Sequence, residues 1–584
     1  MSWIYGIIHP GKYTYRLPEE IRKQALKIFS NERICVCTGG NEKNIFYNKN
    51  SDNLNNDWLV IGFGIVNSDN GLKILNDSSW GGLLVNPGFS DRLEGHYLIL
   101  KWNETNFEIT TDRLGLRDIY FSFLDGKIIF STRVDWLSQS VDTEINFSEF
   151  GSRWLLFNQI STNSVLDNIT RVVAGSTTKI NLLSLECKTE KGNFPLTPDN
   201  STHNITPFSE KLEKFIGAPL KNNFKTALSL SGGLDSRVIL SYMLKNFSNK
   251  TWETHTFGSS DHPDFIVANR IVKDFGINHY NINRQLPTVQ ECIDELTDYT
   301  NETIVNGAAS GILQLNNYKL LEGYNNTIII DGGFGELWRR EFFYRLLIKG
   351  KGSLHNKNLN EILPHLTIHR ADIFNEEIKQ IMLNGCKEQL ENIYGEIPSI
   401  TAIGIENWLD IFAVKTRLPN YYGHEQSRID SFVTSFMPFA QFSLLQSLSA
   451  VLLELRKDGR LFKKIINDNN RKLSKYELVK GSTTHPYFLN TFQARLWSLV
   501  SNKLNGHNHQ VNQSQFFLSH IKEYVNDIVH SKPVKECSFY NYKNIQKIYS
   551  DYKSGSVNAA QELDWFLSFE IFRQSIYSVR PKLP

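Results

Sequence analysis

The chain has 584 residues and a formal net charge of +2, with 41% apolar and 21% charged residues. That length allows about two to four ordinary domains, and that balance excludes a collagen-like or low-complexity chain and a molecule driven as a whole onto nucleic acid or an anionic membrane. Binding to either would need a local patch.

Six cysteines (Cys35, Cys37, Cys187, Cys292, Cys386 and Cys537) include no C-x-x-C pair, so zinc and dithiol chemistry are not indicated and reduced thiols are expected. The first ten residues show neither a basic leader nor a small-residue cleavage site, and the longest apolar run, 58–66, is far short of a ~20-residue span. A cytoplasmic protein is expected, with no membrane and no nucleic acid among its partners.

In chain order, the apolar stretches 58–66, 97–100 and 128–130 are separated by Asn, Asp and Gly clusters, which predicts a sheet-rich first domain over 1–195. Residues 195–207 carry three prolines and no helical period, the pattern of an exposed connector. Short strand patterns at 226–230, 254–257 and 327–330 then alternate with helical ones, predicting a doubly wound parallel sheet within a second domain, 207–490. Beyond residue 370 the pattern is mostly helical, and 491–584 reads as a helical extension of that second domain.

The strongest local signal is Leu230-Ser231-Gly232-Gly233-Leu234-Asp235-Ser236, directly after the first of these strands. A strand that runs through Ser-Gly-Gly into a helix leaves backbone N–H groups unpaired at the helix start, where missing side chains and the helix dipole favour an oxygen-rich anion. This is a phosphate cradle. It lacks the Gly-Lys-Ser/Thr ending of a Walker loop, so γ-phosphate transfer is not indicated. Asp235 adds a hard oxygen ligand of the kind that magnesium bridging phosphates takes from protein.

This loop resembles the pyrophosphate-binding loop of the ATP pyrophosphatases, and its surroundings resemble asparagine synthetase in particular. The flanking pieces are Thr256-Phe257-Gly258, Asp264 to Ala268, and Phe275-Gly276-Ile277-Asn278-His279; a lone histidine such as His279 counts only within that pattern. Asp331-Gly332-Gly333-Phe334-Gly335-Glu336 is similar to the family's second Gly-rich acidic loop, with Asp331 as candidate metal ligand and Glu336 as its alternative and a candidate catalytic carboxylate. Phe436-Met437-Pro438-Phe439 and Lys480-Gly481-Ser482 sit where the family has an Arg-Val-Pro-Phe segment and a Lys-rich loop. In the first half, Asp112-Arg113-Leu114-Gly115-Leu116-Arg117-Asp118-Ile119-Tyr120 and Ile169 to Gly175 resemble the family's glutaminase domain. The resemblance implies a four-layer αββα domain of the N-terminal-nucleophile type followed by an adenine-nucleotide-hydrolase-like parallel sheet, with ATP and Mg²⁺ as cofactors. It further implies that Lys480 offsets phosphate charge, that Asp235 and Asp331 hold the metal, and that Gly332 and Gly333 join residues 230–236 in binding ATP.

The sequence departs from the family at several places: the glutamine-binding stretches expected between residues 30 and 80 are not evident, Gly335-Glu336 stands where the family has two adjacent acids, and two further changes bear on the reaction. A class II glutaminase needs a cysteine after the initiator methionine, and here that residue is Ser2. A hydroxyl ionises far less readily than a thiol, so glutamine hydrolysis is expected to be lost, with Ser2 kept as a candidate N-terminal nucleophile. Gly332 or Gly333 also replaces the glutamate that opens the family's second turn. Beta-lactam synthetases and lasso-peptide cyclases are relatives that keep the scaffold without the thiol. The reading is an AMP-forming amide ligase joining a small-molecule or peptide carboxylate to an amine or ammonia, and it leaves room for a homodimer. A true asparagine synthetase acting on aspartate is the rival within this chemistry, and a non-catalytic nucleotide-binding scaffold the rival outside it.

Overall fold

The computed structural model describes residues 2–48, 57–68, 71–86, 88–192, 195–283, 285–321, 327–339, 343–481, 483–504 and 512–577. Thirteen strands come first. They are β1 (Trp3–Ile8), β2 (Lys27–Ser30), β3 (Ile34–Gly39), β4 (Ile45–Tyr47), β5 (Asp57–Ser68), β6 (Gly71–Ile74), β7 (Leu93–Trp102), β8 (Asn106–Thr111), β9 (Tyr120–Leu124), β10 (Lys127–Ser131), β11 (Thr170–Arg171), β12 (Ser176–Asn181) and β13 (Cys187–Lys191). They form two antiparallel sheets, ordered β11-β9-β10-β1-β3-β2 and β13-β12-β8-β7-β5-β4, with β6 pairing off β5.

The strand alternation explains how these sheets stack. In β1, Ile4 and Ile8 point into a shared core with Leu59, Ile61, Leu98 and Phe107 of the second sheet. Trp3, Tyr5 and Ile7 point the other way, against Trp136 of α1 (Val134–Ser138) and Phe150 and Trp154 of α2 (Phe147–Leu155). On the far side of the second sheet, Val60, Tyr97 and Ile99 meet Trp80 and Leu84. Both faces of both sheets are therefore covered, which is why 58–66 reads as an unbroken apolar run rather than as alternation.

After the segment 195–205, whose one bridge among the described residues joins Thr202 to Val451, α3 (Thr206–Lys221) leads into the second sheet system. This comprises β14 (Lys225–Ser229), β15 (Trp252–Phe257), β16 (His279–Ile282), β17 (Thr327–Ile330) and β18 (Thr434–Phe436), ordered β16-β15-β14-β17-β18 with every pairing parallel. Leu228, Ile328 and Ile330 pack on one face with Val238 of α4 (Leu234–Asn246) and with Val267 and Ile271 of α5 (Pro263–Phe275). Ala227 and Ile329 pack on the opposite face with Leu321 and Val433. Strand order reverses between β14 and β17, the place where open parallel sheets present loops to a ligand.

The two halves are joined by buried charge. Glu94 caps the helix Phe442–Ser449, its carboxylate accepting from the N–H groups of Phe442 and Ser443 at 2.9 Å each. Asp430, fully buried, accepts from Arg117 and lies 2.8 Å from His96 Nε2. Glu302, from α6 (Val289–Thr303), bonds to Arg428 at 2.9 Å and to Arg133 of the first domain at 3.3 Å. Against the opposing effect of burial, nearby positive charge, the N-terminal amine first and then Arg133 and Arg428, holds the Glu302 carboxyl down to about 2. A depressed carboxylate stabilises the fold above its ordinary range and loses that contribution as pH falls toward 2. Glu302→Gln leaves Arg133 and Arg428 short of a buried counter-charge, so a loss of about 3 kcal/mol at neutral pH is expected in chemical denaturation, with a weaker acid dependence of stability below pH ~4.5.

The last helices, including Val557–Tyr577, share their core with the first domain: Phe566 and Phe569 lie in one cluster with Trp3, Phe150 and Trp154. The terminal extension thus packs on the outer helical layer of the first domain. This was not legible locally, because polar and apolar residues are mixed around the Val557–Tyr577 helix, with Asp564, Glu570 and Arg573 buried among the aromatics, so no apolar stripe says which wall covers it.

Candidate active site

Two loops meet where the strand order reverses. Residues 230–233 leave the carboxyl end of β14 and enter α4 at Gly233, and residues 331–334 leave the neighbouring β17 and enter α7 (Gly335–Trp338). Their approach is close enough to require glycine. A Cβ on Gly335 would fall 2.3 Å from Asp235 Cγ, and one on Gly332 would fall 3.1 Å from the Ser236 nitrogen. Between them, buried Phe334 holds a left-handed backbone at φ 69° and sets its ring edge-on to Tyr422. A non-glycine residue held there stores strain, the kind of feature that packed functional loops retain.

The first loop is ordered by its own side chains. Ser231 N–H donates to Ser236 Oγ at 3.1 Å, and Gly233 N–H donates to Ser231 Oγ at 3.1 Å. Gly232 N–H donates to Asp264 Oδ1 at 2.8 Å, so the acid at the start of α5 is tied to the loop. Leu234 packs against Gly459, whose added Cβ would lie 2.7 Å from Leu234 Cδ2.

A third segment lies on this loop. β19 (Leu478–Lys480) pairs with β20 (Thr483–His485), and Val479 N–H donates to Gly232 O at 3.0 Å, so Lys480 follows directly on a backbone bond to the phosphate-cradle loop. Arg237, fully buried in the first turn of α4, fixes the junction. Its guanidinium donates to Gly232 O (3.1 Å), Tyr476 O (2.8 Å) and Glu477 O (2.7 Å), and burial draws it down to about 10. A Cβ on Gly232 would come within 2.2 Å of Val479 Cγ2, so the ribbon can sit this close only over glycine.

The candidate carboxylates have different surroundings. Asp235 forms a two-point pair with Arg339, at 2.8 Å through Nε and 3.0 Å through Nη2. Asp331 accepts from Gly333 N–H at 2.7 Å, and burial raises its carboxyl above the usual range. Glu336 is held by Arg417 Nε at 3.0 Å and Tyr422 Oη at 2.7 Å. Asp235 and Asp331 thus stand on facing loops, and two hard carboxylates beside a phosphate cradle are a donor set that suits Mg²⁺, which takes one or two protein carboxylates and completes its shell with phosphate oxygens and water. A cation there would also offset the cost of burying Asp331. Among the described residues, no cluster of three or more His, Cys, Asp or Glu could hold a metal without such outside ligands.

Phe436, closing β18, accepts from Asp331 N–H at 3.0 Å, and Met437 lies beneath Gly333, so the 436–439 segment supports the second loop. His279 is half-buried on β16: its Nδ1 lies 2.9 Å from Thr254 Oγ1, and burial lowers it to about 4. Ser2 lies apart from these loops, on the first domain before β1. It is buried, its Oγ donates to the Asn41 carbonyl at 3.3 Å, and its own carbonyl accepts from Arg117 at 3.3 Å. Among the described residues, no histidine, amine or carboxylate is hydrogen bonded to the Ser2 hydroxyl.

Sequence reasoning did not assign Arg237, Asp264, Arg339 or the pair Arg417 and Tyr422. Arg237 immediately follows the loop and Asp264 stands in a quoted flanking segment, so both were visible without a role. Nothing in the local sequence marks Arg339, whose partner is 104 residues away.

Gly335→Ala would displace the Asp235 carboxylate from Arg339, and overpacking of this kind costs about 1–3 kcal/mol. A drop of several degrees in the melting temperature is expected, measured by calorimetry on the full chain.

Two solved structures show a faint likeness, each with 11% identity and a TM-score of 0.20. The allosteric regulatory enzyme of purine biosynthesis aligns over 49% of this chain and 76% of its own. The glutamine phosphoribosylpyrophosphate amidotransferase from B. subtilis, complexed with ADP and GMP, aligns over 58% and 77%. No curated protein matches the sequence. Residues 208–323, which hold the first loop, Asp264 and His279, match the asparagine synthase family model.

Proposed function

We propose that the chain is an ATP-dependent amide ligase that activates a carboxylate as its adenylate, releasing pyrophosphate, and passes the acyl group to an amine or ammonia. The supporting observation is the junction of three segments at the strand-order reversal: the Ser231–Ser236 loop, the Asp331–Glu336 loop and the Lys480 ribbon bound to Gly232.

In this reading a carboxylate oxygen bonds to the α-phosphorus while the bond to the bridging oxygen of the β-phosphate breaks, and pyrophosphate leaves. The amine nitrogen then bonds to the acyl carbon, AMP leaves with its oxygen, and the nitrogen gives up a proton. Magnesium held by Asp235 and Asp331 supplies charge neutralisation on the phosphates. The backbone N–H groups at the start of α4, residues 234–236, face the leaving diphosphate, Gly232 and Gly233 keep side-chain bulk away from it, Leu230 turns its side chain into the core, and Lys480 offsets charge as it develops. Rate enhancement comes from positioning and electrostatics rather than from a covalent enzyme intermediate.

The acyl substrate in this proposal is other than aspartate, because glycine stands at positions 332 and 333 where the family's substrate-side glutamate belongs. Incubating the protein with ATP, Mg²⁺ and a panel of carboxylates and amines, with aspartate plus ammonia as one arm, tests both levels. Pyrophosphate and AMP released without aspartate turnover support the full reading. Turnover of aspartate with ammonia would return the protein to asparagine synthesis, and nucleotide binding with no turnover in any arm would favour a scaffold.

A further inference from the structure

The net charge of the whole chain gives no reason to expect a membrane surface, but one element supplies a local patch. The helix α8 (Thr491–Leu504) follows β20 directly. Among the described residues these anchors gather on one side: Thr491 and Ala494 are buried, Ser498 Oγ lies 2.9 Å from Thr483 Oγ1, and Thr491 N–H reaches Asp458 at 3.3 Å. At about 100° per residue, positions 492, 496, 499 and 500 fall on the opposite side of the helix. There the chain places Phe492, Leu496, Leu499 and Val500, with Phe488 just before the helix and Trp497 at the edge of the stripe. These six side chains are 48–78% exposed.

Five large apolar side chains gathered on one helix, with Phe488 beside its start, are not the scattered exposure that any soluble surface shows. The stripe lies on the side of the helix opposite its buried anchors, a ridge rather than a groove. A partner protein would have to bring its own groove, whereas a lipid surface accepts a convex helix by letting it sink into the headgroup boundary. Charge supports the same occupant. From Leu478 to Lys522 the sequence contains no Asp or Glu, while Lys480, Arg495, Lys503 and Lys522 are all cationic. A second copy of the chain would bring the same positive charge against itself; an anionic bilayer brings the opposite sign. Trp497 and the phenylalanines are residue types that settle at a membrane–water boundary.

We infer that the outward face of Thr491–Leu504 docks the protein on anionic lipid surfaces, lying in the plane of the interface. This inference is independent of the reaction proposed above. It does place the Lys480 ribbon beside the lipid, because Trp497 Nε1 donates to Thr484 O at 3.1 Å.

Flotation of the full chain with vesicles of phosphatidylcholine alone, or of equal parts phosphatidylcholine and phosphatidylglycerol, tests this. Binding is expected to the anionic vesicles only, weakened by roughly an order of magnitude when salt is raised several-fold and weakened at least as much in the double variant Phe492→Asp, Leu499→Asp. Both changes fall on exposed positions, and an unchanged melting temperature would show that the variant is folded. Failure to float with anionic vesicles, equal flotation of wild type and variant, or a wild-type dimer in solution that the variant converts to monomer would each overturn the inference, the last by giving the stripe to a second copy.

Discussion

Replacing Asp235 by alanine is expected to abolish ATP-dependent pyrophosphate release, a fall of roughly three orders of magnitude or more, while leaving the fold intact. In the structure Asp235 is paired with Arg339, and both side chains keep about a fifth of their surface exposed. Losing a partly exposed pair at a loop junction costs little stability. The same carboxylate is one of two that suit the phosphate-bound cation, so its removal acts on catalysis out of proportion to its effect on folding. Steady-state pyrophosphate release and a thermal melt of the same sample separate these effects: activity should vanish and the melt should scarcely move. Asp235→Asn keeps the size and loses the charge, and should be nearly as inactive.

Arg237→Met is expected to be the most damaging single change near the site to stability and activity together. The guanidinium is fully buried and donates to four backbone carbonyls, those of Gly232, Leu473, Tyr476 and Glu477, the last three on the segment that runs into Lys480. Methionine matches much of its length but donates nothing, so Gly232, Leu473, Tyr476 and Glu477 each lose a hydrogen-bond donor in a buried setting. A loss of about 3–5 kcal/mol is expected in chemical denaturation. Gly232 O still receives Val479 N–H, so the ribbon should loosen rather than detach. At a temperature where the variant is folded, the KM for ATP should rise and kcat fall, since Lys480 is no longer held in place. Arg237→Lys, which restores charge but not the fork, should rescue stability only in part.

These two residues also mark how far the sequence could be read. The strands were legible because burial on both faces writes them as unbroken apolar runs: 58–66 falls within β5, and 327–330 coincides with β17. The glycine-rich turn was legible because Ser-Gly-Gly between a strand and a helix has a local cause, the close approach of other segments to that backbone. What holds the turn was not legible. Arg237 looks like one more residue of an ordinary helix until the 476–480 segment folds against it from about 240 residues away. Arg339 and Glu336 likewise take their partners from distant segments, and only the fold shows that Asp235 and Glu336 are each held by an arginine.

The first domain carries a similar lesson. The Asp112 to Tyr120 run was read from its likeness to a glutaminase domain, but in the fold several of its residues serve the joint with the second half. Arg117 pairs with Asp430, and Asp118 with Arg171, which itself reaches Pro419 O at 3.0 Å. A buried network of this kind fixes the relative placement of two domains whether or not the first retains chemistry of its own.

The most direct measurement is the identity of the phosphate products. With radiolabelled ATP, magnesium and an accepted carboxylate, the labelled γ-phosphate should appear in pyrophosphate, in step with AMP, and both should vanish in the Asp235→Ala variant. Label appearing in orthophosphate alongside ADP would mean that the bond between the β and γ phosphates is the one broken, and would contradict the assignment of the Ser231–Ser236 loop as the seat of a leaving diphosphate.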